Sequence, residues 1–68
     1  MKLLLSFPSE QFAAEFTERA NYMVDDLFVI RMGVYAEIEC AQESDELRRD
    51  LIAAASVIGG VEVKTRQQ

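Results

Sequence analysis

The sequence predicts an α+β domain, two helices with four strands, and three observations predict it. Two windows carry apolar residues at helical spacing, and each is opened by a serine followed by acids in the first turn. Residues 34–40 alternate strictly between apolar and polar side chains, the period of a strand covered on one face. Glycines at 33 and 59 stand between the periodic stretches. Sixty-eight residues without a linker, repeat or low-complexity stretch make one domain, residues 1–68.

The first element is Lys2-Leu3-Leu4-Leu5-Ser6-Phe7, an apolar run ended by Pro8, which suits a central strand covered on both faces. Ser9 is an N-cap, and Glu10 stands where the helix dipole favours an acid. Phe12, Phe16, Ala20 and Met23, with Ala13 beside them, give one stripe of a helix over 10–23. Glu15 and Arg19 are spaced to pair on its outer side. Asp25-Asp26 interrupts the pattern, and Leu27-Phe28-Val29-Ile30 is rich in strand formers.

Strand 27–31 and strand 34–40 then form a hairpin about a Met32-Gly33 turn, since glycine accepts positive φ. That turn sets Ile30 opposite Tyr35 and Phe28 opposite Glu37. A single unbroken strand over 27–40 is the alternative, far above usual strand length. Ser44 caps the second helix, with Asp45 and Glu46 in its first turn and Asp45 spaced to pair with Arg49. Leu47, Leu51, Ala54 and Ile58 form its stripe, and Gly59 ends it. Val61, Val63 and Thr65 alternate with Glu62, Lys64 and Arg66 in a last half-buried strand.

The order β-α-β-β-α-β is that of the split βαβ, or ferredoxin-like, arrangement. Two right-handed crossovers would place both helices on one face of a four-stranded antiparallel sheet, with strand order 4-1-3-2.

Composition narrows the function. A chain this short buries only about 60% of its unfolded surface, so reinforcement is expected from disulfide, metal or association. One cysteine, Cys40, cannot form an intrachain disulfide, and one Cys with no His cannot supply a structural zinc site. Association remains. The opening Met1-Lys2-Leu3-Leu4-Leu5 is too short an apolar run for a signal peptide, and no stretch reaches membrane-spanning length. A cytoplasmic chain without membrane contact is expected, in keeping with a lone cysteine. Net charge is −5, and residues 1–46 hold ten acids against Lys2, Arg19 and Arg31. Such a balance repels a phosphate backbone, so direct nucleic-acid binding is not expected.

Catalysis also fares poorly, because general acid–base work without histidine would fall to a perturbed carboxylate, Lys, Tyr or Cys40. Cys40 lies on the apolar side of its strand and reads as a small buried hydrophobe. Asp25-Asp26 falls short of the six or more oxygens that calcium wants, and no phosphate loop occurs. No enzyme activity and no cofactor are expected. The motifs of heavy-metal-associated domains, RNA-recognition modules and small-molecule regulatory domains are all missing. The first loop has no CxxC and no glycine, and Glu37 and Glu39 flank Tyr35 with the wrong charge for RNA.

What is left is surface. With Leu27, Val29, Val34, Ala36, Ile38 and Cys40 turned to the helices, the other hairpin face shows Phe28, Ile30 and Tyr35. Arg31 is the only charged guard of strand 27–31, an expected sheet edge. Phe28, Ile30, Arg31, Tyr35 and Glu37 are therefore the candidate contact residues for a second copy or a protein partner. Two other readings compete: an acidic inhibitor, like small phage antagonists of host enzymes, that blocks a nucleic-acid-binding enzyme, and a small-molecule-binding regulatory domain.

Overall fold

Pro8, Gly33 and the Gly59-Gly60 pair mark three of the five junctions between the six elements of the computed structural model. It describes residues 1–23, 26–41 and 43–64. In chain order these are β1 (Lys2–Ser6), α1 (Glu10–Met23), β2 (Leu27–Met32), β3 (Tyr35–Cys40), α2 (Asp45–Ser56) and β4 (Val61–Glu62). The protein is α+β, with one four-stranded antiparallel sheet in the order β2-β3-β1-β4, which reads 4-1-3-2 from the β4 edge.

Local chemistry explains the ends. The Ser9 hydroxyl accepts from the Phe12 N–H at 3.3 Å, and the Ser44 hydroxyl accepts from the Leu47 N–H at 3.1 Å, each satisfying one orphan donor of a helix start. Beyond α2, the Gly60 N–H donates to the Ala55 carbonyl at 2.8 Å and the Gly59 N–H to the Ser56 carbonyl at 3.2 Å. Those two bonds with Gly59 at φ +83° close the helix as a Schellman turn.

The core lies on one side of the sheet. Leu3, Leu5, Ala36 and Ile38 from the inner strands meet Ala13, Phe16 and Ala20 of α1 and Leu51 and Ala55 of α2 in a single buried cluster. Both helices thus cover the same sheet face. Phe7, just past β1, is buried in that cluster, its ring 5.2 Å from that of Phe16. Cys40 is buried on the same side of β3.

Several expectations need correction. Phe12 and Met23 stand exposed at the margin of the buried stripe of α1, which is Ala13, Phe16 and Ala20. In α2 Ala55 is buried with Leu51, while Leu47, Ala54 and Ile58 pack against the cluster from its margin. The apolar run of β1 does not mean cover on both faces, because Leu4 is only half-buried, on the side away from the core. In β4 the faces are inverted: Glu62 pairs in register with buried Leu5, and Val61 with Ser6. Glu62 is held on the helix side by an ion pair with Arg48 of α2, which leaves Val61 outside. Neither Glu15–Arg19 nor Asp45–Arg49 comes within ion-pair distance. Asp25, Thr65 and Arg66 lie outside the described residues.

The hairpin turn also moves by one residue. Met32 pairs with Tyr35, and Gly33-Val34 is the loop. Hairpin turns of types I′ and II′ both need positive φ at their first central residue. A Met32-Gly33 loop would impose that on methionine, whereas the observed loop gives it to Gly33, at φ +62°. The pairs become Ile30–Glu37 and Phe28–Glu39 in place of Ile30–Tyr35 and Phe28–Glu37. This is a shift of two in register, so every side chain keeps its predicted face.

Candidate interaction surface

The sheet face away from the helices follows from the strand registers. Phe28 aligns with Glu39 and Lys2; Ile30 aligns with Glu37 and Leu4; Met32 aligns with Tyr35, Ser6 and Val61. The Val63 N–H donates to the Leu4 carbonyl at 2.8 Å, which carries the second row towards the β4 edge. Among the described residues no helix covers this surface, because both helices pack on the opposite face.

Its large side chains are open to solvent. Phe28 is 61% exposed, Ile30 42%, Met32 55%, Tyr35 44% and Val61 60%. Isolated exposed hydrophobes are ordinary, but four of these five share one hairpin on one face. They form a column along β2, which Tyr35 joins on β3. Glu37 and Glu39 stand one strand further in. Lys2 reaches Glu39 at 3.7 Å, while no cation comes within ion-pair distance of Glu37 among the described residues. Its neighbours in register are Ile30 and Leu4.

Phe28, Ile30, Tyr35 and Glu37 of the predicted set are thus gathered on this face. Arg31 is not, because it pairs with buried Ala36 and shares the helix side of β2 with Leu27 and Val29. Its guanidinium turns back to the Gly33 carbonyl at 3.5 Å, and it sits at the sheet edge. Met32 and Val61 join the face unpredicted. Met32 was legible from the glycine rule for hairpin turns; Val61 was not, because the side of β4 that turns inward follows from its register with β1, Glu62 opposite Leu5.

Other candidates do less. A groove of about 310 Å³ beside β4 is lined by Lys2, Leu4, Glu37, Arg48, Glu62 and Lys64 among others. Two of its cations are already engaged, Lys2 with Glu39 and Arg48 with Glu62. No cluster of three metal-ligating side chains occurs among the described residues, and of the Asp25-Asp26 pair only Asp26 is described. Cys40 has no histidine to activate it, and its thiol packs in the sheet's covered side. No helix among the described residues is long and apolar enough to cross a membrane. No protein-family model matches the chain, and neither curated proteins nor solved structures give a match.

Proposed function

We propose that this chain is a small, non-catalytic protein–protein interaction module of ferredoxin-like topology, acting in the cytoplasm. It docks onto a protein surface through the open face and free edge of its β2–β3 hairpin. The observation that carries the reading is the contiguous exposure of Phe28, Ile30, Met32 and Tyr35 on a sheet face that no helix covers. Burying each such side chain is worth about 1.5–3 kcal/mol before the cost of association is subtracted. For a chain this short that gain offsets a thin core.

Ile30→Glu tests the proposal by leaving a carboxylate unpaired in an apolar interface. The variant should keep its helical circular dichroism and lose association, read as molar mass by light scattering with and without a captured partner. A wild type that neither self-associates nor holds any protein that Ile30→Glu releases sinks it.

A second reading is supported by the ten acids of residues 1–46, with their net charge of −7. In it the chain is an acidic inhibitor that occupies the nucleic-acid cleft of a basic enzyme. Competition with nucleic acid for the captured partner, weakening as salt rises, distinguishes it from docking through the apolar face alone.

A further inference from the structure

Backbone direction decides what the β2 edge offers. Cys40 exchanges both ladder bonds with Met1: its N–H donates to the Met1 carbonyl at 2.9 Å, and its carbonyl accepts from the Met1 nitrogen at 2.6 Å. The Phe7 N–H likewise donates to the Val34 carbonyl at 2.9 Å. Even-numbered positions of β3 therefore direct their backbone groups at β1, and odd-numbered positions direct theirs at β2. Tyr35, Glu37 and Glu39 are in register with Met32, Ile30 and Phe28. Those three β2 residues use their N–H and C=O inside the sheet. Leu27, Val29 and Arg31 direct theirs outward, on the edge of the sheet where no further strand lies among the described residues.

We propose that this edge pairs with β2 of a second copy, antiparallel and two-fold symmetric about Val29, joining the two four-stranded sheets into one. The proposal rests on the interaction-surface reading above and names its partner. The outward set is self-complementary: Leu27 meets Arg31 of the second copy, Val29 meets Val29, and Arg31 meets Leu27, so every outward N–H and C=O finds a partner. The same register sets Phe28 across from Ile30 of the second copy, at positions of the new ladder that share no hydrogen bond, where side chains approach most closely. No like charges are opposed, because Arg31, the only basic residue from 27 to 40, faces leucine.

Charge also decides between edge and face. Stacking two open faces would bring Glu37 and Glu39 of both copies together, with Lys2 the only cation in register with them, in a chain of net charge −5. Edge pairing leaves these acids one strand away from the seam and in water. The β4 edge is a poorer template, since that strand is only Val61–Glu62 and Lys64 follows it.

Light scattering and amide hydrogen exchange on the wild-type chain, across a concentration series, test the pairing. Molar mass should double with concentration while the amides of Leu27, Val29 and Arg31 become protected in step. The amides of Phe28, Ile30 and Met32 should be protected at every concentration. Arg31→Pro removes one outward N–H and leaves the β2–β3 ladder whole. It should weaken the dimer by about thirtyfold, since each copy loses one bond. A dimer whose Leu27, Val29 and Arg31 amides exchange freely overturns edge pairing but leaves the open-face reading standing. A chain monomeric at every concentration also overturns it, and the open-face reading then depends on partner capture by wild type against Ile30→Glu. The exchange measurement needs no variant, so a misfolded Arg31→Pro leaves the test intact.

Discussion

Met32 and Tyr35 face each other across the last rung of the β2–β3 hairpin, both exposed on the side away from the helices. The pair exists because Gly33, not Met32, occupies the first loop position, where φ is +62°. One glycine thereby moves a large apolar side chain from the turn onto the open face. Gly33→Ala should destabilise the fold by roughly 1–2 kcal/mol, the cost of a left-handed conformation for a residue with a Cβ. Space is not the issue, since a Cβ there meets nothing within 4 Å. Gly33→Asn should cost less, because asparagine tolerates that region. Urea midpoints of the three proteins at equal m-value check the order.

Gly60 is constrained by space instead. A Cβ there would lie 2.5 Å from a ring carbon of Phe7 and 2.9 Å from the Ala55 Cβ. Phe7 cannot retreat freely, because it packs on Phe16, the largest wholly buried side chain among the described residues. Gly60→Ala should therefore cost about 1–3 kcal/mol as an overpacked core does. Phe7→Leu added to Gly60→Ala should recover part of the loss, which a double-mutant cycle in urea measures.

These two glycines also mark what the sequence makes legible. Helix α1 was readable to its boundaries, because the Ser9 cap and the helical spacing of Phe12, Phe16, Ala20 and Met23 state local physics, although Phe12 and Met23 stand exposed. The faces of β2 and β3 were readable because alternation survives a register shift of two. The turn position was readable in principle, since only Gly33 takes positive φ cheaply. The orientation of β4 was not, because Val61 and Val63 look like inward residues until pairing with β1 sets Glu62 opposite buried Leu5. Phe12 likewise fits the helical stripe by spacing and is left outside by how α1 is rotated on the sheet. Tertiary contacts settle such cases, and no local pattern encodes them.

The Arg48–Glu62 pair should contribute modestly. Both side chains keep some exposure, so solvent screens the attraction, and exposed pairs of this kind yield about 0–1 kcal/mol. A cycle of Arg48→Met, Glu62→Gln and the double variant should give a coupling below about 1 kcal/mol. With both charges removed, the Glu62→Leu, Arg48→Met chain should gain stability, as apolar replacements of paired charges often do. A coupling of several kcal/mol would show that the pair is far better shielded than its exposure implies.

Cys40 should prove replaceable. It is buried against the core side of β3, where a thiol acts as a small hydrophobe. Cys40→Ala should lower the urea midpoint slightly and leave association unchanged by light scattering. Loss of association in a variant with native circular dichroism would assign the thiol a role beyond packing.

Glu37 should act as a guard on the open face. It stands in register between Ile30 and Leu4, with no cation in ion-pair distance among the described residues, so its charge interrupts an otherwise apolar row. Natural sheets use such placed charges to prevent unwanted contacts. Glu37→Gln should therefore leave the β2 edge untouched while allowing two open faces to stack. The expected result is association beyond the dimer, appearing at high concentration and strengthened by sulfate, which favours apolar burial. Adding Glu39→Gln, which also frees Lys2, should enlarge the effect. Light scattering of wild type and both variants over one concentration series reads it directly. If both variants match the wild type at every concentration, Glu37 merely solubilises the face, and the apolar row it interrupts is too weak to self-associate.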